Sequence, residues 1–161
     1  MMMMNRLLLI LLMLVIGIGC KNNSEVVRIN GDLIGKWTVQ SNSMIYFDKA
    51  GEKEYEEALN PTGVAKDISF MKGARAKIVT QDSADVLKTP YSLKQENKAI
   101  YIELGETDIF DCRVWELTEV SATDMTWKAN FSNIKYEDKD TGEILEAPQA
   151  ELTLKFNKYD K

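Results

Sequence analysis

The sequence predicts an all-β protein: a single antiparallel, up-and-down β-barrel of eight (8–9) strands with one short helix. Three observations carry this. Apolar residues recur at every second position through most of the chain from residue 31 onward, the period of a strand with one buried face. The runs are joined by short polar or glycine-bearing turns, which suit antiparallel neighbours and leave no room for crossover helices. Finally, every strand has an apolar face and the sheet has edges to hide, and closure into a barrel hides both at once. A flattened two-sheet sandwich would show the same alternation. An outer-membrane barrel would turn the apolar face outward, but Lys36, Lys128 and Lys155 stand mid-strand among short runs, so the apolar face is read as pointing inward.

The N-terminus is an address. After Asn5-Arg6, Leu7 to Ile18 is an unbroken apolar run with Gly17 near its end. Twelve residues of helix reach roughly 18 Å, short of the ~30 Å hydrocarbon layer, so a secretory signal helix in the precursor fits better than a spanning one. Residues 1–19 are therefore read as signal peptide, 20–30 as a tether and 31–161 as the barrel domain. Lys21 to Asn30 is polar with little periodicity, which suits a tether.

Within the domain, Leu33, Gly35, Trp37 and Val39 alternate with Ile34, Lys36, Thr38 and Gln40 as a first strand. Met44 to Asp48 is a second, ended by the turn Lys49-Ala50-Gly51-Glu52. Glu52 to Leu59 looks helical, and Pro61 would end it. Between Asn60 and Gly73 the pattern is weak, with Phe70-Met71-Lys72-Gly73 able to close an extra strand. Ala76 to Val79 is a strand, and Tyr91–Lys94 and Ile100–Leu104 flank the polar turn Gln95 to Lys98 as a hairpin. Asp108 to Leu117 is read as the next strand. Met125, Trp127, Ala129 and Phe131 face one way in the penultimate run, as do Leu152, Leu154 and Phe156 in the last. Lys135 to Gln149 reads as a protruding hairpin or loop.

The chain has 161 residues, 20 Lys+Arg, 25 Asp+Glu, a formal charge of −5, two cysteines and no histidine. This length suits one domain with a real core. The acidic balance argues against nucleic acid. Without histidine there is no Ser-His-Asp triad, no Cys-His dyad and no imidazole-ligated zinc. No catalytic residue, metal ligand or cofactor site is assigned. The acids Glu137, Asp138, Asp140, Glu143 and Glu146 crowd one loop but do not match an EF-hand, since Gly142 falls one place early after Asp138. They read as a solvated hairpin, and Glu52, Glu54, Glu56 and Glu57 around Tyr55 as a polar surface. Nothing singles out a pair of carboxylates for glycoside hydrolysis. The chain is read as a non-enzyme.

Two resemblances sharpen this reading. Gly17-Ile18-Gly19-Cys20 resembles the lipobox of bacterial lipoproteins, with Gly17 where a leucine is usual. It implies cleavage before Cys20, a diacylglyceryl-modified and palmitate-bearing thiol there, and residence in the bacterial cell envelope at the outer membrane. The rival reading is an ordinary signal peptide, with Cys20 free to pair with Cys112 in a soluble protein. Lys21 to Glu25 carries one acid, against the acidic run that sends some lipoproteins of the Bacteroidota to the cell surface. The second resemblance is Leu33-Ile34-Gly35-Lys36-Trp37-Thr38-Val39, which is similar to the G-x-W opening strand of lipocalins and of lipocalin-like lipoproteins of the Bacteroidota. Phe47–Gly51, Val114–Thr118 and Leu152–Phe156 extend it over about 31–159. The resemblance gives Gly35 and Trp37 a structural role: in lipocalins this tryptophan packs over the closed barrel end against an arginine from a late strand. Here the last arginine is Arg113, so the closing strand offers Lys155 or Lys158.

A lipocalin-like barrel implies a small hydrophobic or amphipathic ligand inside. The candidate lining is Val39, Ile78, Leu93, Ile100, Ile102, Phe110, Cys112, Val114, Met125, Trp127, Phe131, Leu154 and Phe156. The same residues also describe a packed core. The alternative is thus a filled barrel that acts as an interaction or adaptor protein, its loops, especially 135–149, touching another envelope protein.

Overall fold

A computed structural model describes residues 23–59, 65–80, 86–105, 109 and 112–159. The signal peptide, Cys20 and Phe110 lie outside the described residues. One helix, α1 (Asn23–Leu33), precedes nine strands: β1 (Gly35–Phe47), β2 (Lys53–Ala58), β3 (Ala65–Met71), β4 (Arg75–Thr80), β5 (Val86–Glu96), β6 (Ala99–Leu104), β7 (Val114–Val120), β8 (Asp124–Glu137) and β9 (Ile144–Lys158). Among the described residues every pairing is antiparallel, neighbours follow chain order from β3 to β9, β1 is next to β3, and β1 pairs with β9 to close the ring. The result is a closed eight-strand barrel with one extra strand, which fits a lipocalin-like fold. The extra strand is β2. With one edge of β1 taken by β9 from Trp37 to Phe47, β3 lies along the first part of the other edge and β2 along the last.

Several elements depart from the sequence expectation, each for a local reason. Glu52 to Leu59 was expected to be helical, but Lys53–Ala58 is strand β2. Asp48 Oδ1 accepts from the amides of Ala50 and Glu52, both at 2.8 Å, and Gly51 takes φ 80°, so a tight turn folds the segment back onto β1. The glutamates favour helix only weakly, and ladder formation overrides them. The expected strands 33–40 and 44–48 are one strand, β1, with a bulge between Val39 and Ser41. The bulge shifts the inward set from Trp37 and Val39 to Asn42, Met44 and Tyr46, which made one strand read as two.

The expected tether overlaps α1. Val26, Ile29 and Leu33 fall on one face, Ile29 and Leu33 are buried in the main core, and Arg28 pairs with Asp32 one turn on at 2.8 Å. The helix therefore belongs to the barrel's packing. Predicted turns are present: Asn97 and Lys98 both take positive φ in the β5–β6 hairpin, as a two-residue type I′ turn requires. The 135–149 segment is the far arm of the long β8–β9 hairpin.

The core is aromatic. Phe70, Tyr91, Trp115, Trp127 and Phe156 form a chain of ring contacts with centroids 5.0–6.2 Å apart. Each such ring contributes more buried apolar area than an aliphatic side chain, plus about 0.5–1.5 kcal/mol per favourable ring pair.

Candidate functional site

One end of the barrel is closed by three elements meeting at Trp37. Its indole Nε1 donates to the Leu33 carbonyl at the end of α1 (2.7 Å). Lys158, from the end of β9, donates to the Asp32 carbonyl (2.8 Å) and places its ammonium 5.1 Å from the Trp37 ring centroid. Gly35 makes the close approach feasible: it has φ 135°, and a Cβ there would stand 2.7 Å from Lys158 Cε. Tyr159 adds a second tie, its amide donating to Lys36 O at 2.8 Å. Of the two cations available on the closing strand, Lys158 packs on the tryptophan, while Lys155 is exposed on the outer face.

The opposite end is covered by the β8–β9 arm. Asn133, with φ 55°, and Pro148 fall between the register pairs Ser132–Gln149 and Ile134–Ala147. A left-handed residue facing a proline breaks the period of two. Beyond that point Tyr136, Leu145 and Ala147 turn to a different side from Phe131 and Ala150. They pack on the inward face of β1 and β2, where Tyr46 and Tyr55 are directly opposed in register. Tyr136 stacks on Tyr46 with centroids 4.1 Å apart and on Tyr55 at 5.5 Å.

Glu57 ties this cluster. Its carboxylate accepts from the Tyr46 hydroxyl (2.8 Å) and from Lys139 Nζ at the arm's tip (2.7 Å). Burial pushes the Glu57 carboxyl up, but the bonds from Lys139 and Tyr46 together outweigh it and hold the group below its ordinary value. Burial, followed by the bond to Glu57, raises the Tyr46 hydroxyl. Met44 touches both this cluster and the main core, so the arm's cover is continuous with the barrel interior.

Between the two ends lies the expected lining. Ile78, Ile100, Ile102, Met125, Trp127, Leu154 and Phe156 are buried in the core. Val39, Leu93, Cys112 and Phe131 are half-buried and pack against it. Val114 is a correction: it is 48% exposed, and Trp115 and Leu117 point inward in its place. Ile109 and Cys112 exchange backbone bonds of 3.1 and 3.0 Å, so the chain turns there and β7 starts only at Val114, with the odd residues inside. Reading one strand from Asp108 inverted the phase, and a one-residue slip exchanges the two faces. The Cys112 thiol donates to the Val114 carbonyl at 3.1 Å.

No protein-family model matches the chain, and no curated protein matches it in sequence. The site is therefore read from its own geometry. The inward residues are packed against one another by large rings, and among the described residues two buried side-chain atoms have no hydrogen-bond partner: Trp127 Nε1, in the midst of the rings, and Gln95 Oε1, near the end of β5. Asn42 shares its row, since Asn42 pairs with Leu154 on β9 and Leu154 with Trp127 on β8. Asn42 is half-buried on the same face. At the arm's tip, Asp138 Oδ1 accepts from the amides of Asp140 (2.8 Å) and Thr141 (3.3 Å), so this acid shapes a turn.

Sequence reasoning missed Trp115, the three stacked tyrosines and the role of Glu57. Trp115 and Leu117 carry their own two-residue spacing. The tyrosines had no such signal: the bulge in β1 separates Tyr46 from the alternation of its strand, left-handed Asn133 does the same for Tyr136, and Tyr55 lies in the segment whose glutamates read as helix.

Proposed function

We propose that this chain is a bacterial lipoprotein, anchored through Cys20 at the outer membrane, whose lipocalin-like barrel holds a small amphipathic ligand under the β8–β9 arm. The observation that carries the ligand is the buried indole N–H of Trp127, which lacks an acceptor. A buried donor left unsatisfied costs about 1–3 kcal/mol, and indole can only donate. The group that relieves it brings an acceptor oxygen: a carboxylate, a carbonyl, a hydroxyl or a lone water. Half-buried Val39, Met44 and Phe131 on the inward face offer apolar contact to the rest of such a molecule, and Asn42 offers a second polar group. The length of the Leu7–Ile18 run and the small residues before Cys20 support the anchor.

Native mass spectrometry of the protein released gently from its own envelope, followed by solvent extraction, tests this. The expected result is a reproducible extra mass that yields an acyl or similar amphipathic compound, with lower occupancy in Trp127→Phe. A bare protein mass, in a sample whose melting curve shows it folded, overturns ligand binding and leaves a water on the indole. A specific observation favours the adaptor reading in that case: Ile144, on the arm, is 67% exposed. A photo-crosslinker at Ile144 would then be expected to capture one envelope protein.

A further inference from the structure

We propose that the outward face of β4 and β5, beside α1, is the surface on which the barrel rests on an anionic phospholipid bilayer; this rests on the reading of Cys20 as the anchor. Arg75, Lys77 and Lys88 are exposed there and line a groove of about 500 Å³ with Met71, Thr89 and Pro90. Lys77 stands directly opposite Lys88 in the β4–β5 register. Like charges in that position destabilise a sheet unless something compensates them.

Nothing in the protein does so among the described residues. Lys36, Lys94, Lys128, Lys139 and Arg28 each have a carboxylate partner; Arg75, Lys77 and Lys88 have none among the described residues, as is also true of Lys66, Lys98 and Lys155, but these three share one groove. The nearest outward acid on β3, Asp67, is held by Lys36 at 3.0 Å and by the Thr38 hydroxyl at 2.8 Å. In a chain of net charge −5, three uncompensated cations on one groove mark a place for an external anion.

The chain's connectivity selects a membrane as that anion. Helix α1 begins at Asn23, three residues after Cys20, a span of at most about 10 Å. The helix is fastened to β5 at the end of this face, where the inward-pointing Tyr91 hydroxyl donates to Asn30 at 2.8 Å. A second groove, with Val27, Asn30, Ala74 and Ser92 in its lining, adjoins the basic one through the neighbours Ala74–Arg75 and Pro90–Tyr91. Val27, 68% exposed in that lining, presents an apolar side chain where headgroups would meet the helix. Each basic side chain close to an anionic surface strengthens adsorption about fivefold. The three together are expected to fix the orientation of a barrel that the lipid already holds nearby.

The test is lysine acetylation of the mature, lipid-bearing protein reconstituted in vesicles, read peptide by peptide. In vesicles containing phosphatidylglycerol, Lys77 and Lys88 are expected to react at least about fivefold more slowly than in neutral phosphatidylcholine vesicles. Lys155, exposed on β9 across the barrel from β5, should react equally in both. High salt and Arg75→Gln should each reduce the protection, because the attraction is screened within about 8–10 Å. Equal rates for Lys77 and Lys88 in the two vesicles overturn the proposal. So does equal protection by inorganic phosphate in neutral vesicles, which would assign the groove to a soluble anion. An intact mass without lipid would refute the anchor separately. Flotation of that protein with phosphatidylglycerol vesicles, lost in Arg75→Gln/Lys77→Gln/Lys88→Gln, would still support the surface, and no flotation would overturn it.

Discussion

Replacing Lys158 by methionine isolates the closed end of the barrel. Methionine keeps most of the stem beside Gly35 and removes the ammonium, and with it the bond to Asp32 O (2.8 Å) and the contact over Trp37 (5.1 Å). A hydrogen bond from a charged donor contributes about 1.5–3 kcal/mol. A cation over an indole adds about 0.5–1 kcal/mol when exposed and about 2 when desolvated. One half-buried ammonium makes both contacts, so the two do not add fully, and the expected loss is about 2–3 kcal/mol. Urea unfolding followed by tryptophan fluorescence should show a lower midpoint at unchanged slope. Hydrogen exchange should show the amides of α1 opening earlier than those of β8, since the lost bond ties the helix terminus to β9. Lys158→Arg should retain most of the stability, because a cation and donors remain at the same place. A loss under about 0.5 kcal/mol for Lys158→Met, the range of an ordinary surface change, would refute the view that this side chain closes the barrel.

Three further outcomes are expected. Gly35→Ala should destabilise by about 1–3 kcal/mol in the same unfolding assay, because a Cβ meets Lys158 Cε at 2.7 Å on a backbone with φ 135°; unchanged stability would mean that this approach is not rigid. Trp115→Ala should cost about 3–5 kcal/mol while Val114→Ser stays within about 0.5; the reverse order would contradict the phase of β7. Glu57 is held below the ordinary carboxyl value in the folded state, so its stabilisation is complete above that ordinary value, about 4.3, and is lost as pH falls through the folded value. The near-ultraviolet dichroism of the stacked tyrosines should therefore weaken on the acid side, and an identical acid profile in Glu57→Gln would argue against the clasp.

How far the fold could be read follows from where one period holds. β6, β9 from Ala150 and β8 up to Phe131 keep a strict two-residue alternation, and their inward residues Ile100, Ile102, Met125, Trp127, Leu154 and Phe156 are legible at sight. Legibility ends where the backbone departs from the pleat: at the bulge between Val39 and Ser41, at the Ile109–Cys112 turn and at Asn133 opposite Pro148. Each departure resets the phase by a residue, and nothing in local composition announces it. The helix α1 was missed because it has three inward residues on one face and a glycine, Gly31, in its last turn. Its stability comes from what it covers. The acids around Tyr55 pointed to a surface, and most of them are exposed. Glu57 differs because Lys139, more than eighty residues away in sequence, reaches it, and such a contact has no local signature.

The two ends of the barrel differ in how firmly they are shut, and this bears on where a ligand could pass. At the α1 end Ile29, Leu33 and Trp37 are all buried, at about 1.5–3 kcal/mol for each aliphatic side chain, and three bonds link α1, β1 and β9. At the other end the arm beyond Asn133 pairs, among the described residues, with no strand outside its own hairpin. It is held by the tyrosine stack and by Glu57, whose partner Lys139 is mostly exposed, so that solvent screens the pair and it adds little. Local opening follows the weaker attachment, so the barrel should open under the arm while the helix end stays shut. Hydrogen exchange should then show the amides of Tyr136 and Leu145 opening at lower free energy than those of Trp127 and Leu154 on the same two strands. Uniform protection along β8 and β9 would mean that the arm is part of the rigid barrel. Entry from that side would then require unfolding, and the filled-barrel reading would be the better account of the packed aromatic interior.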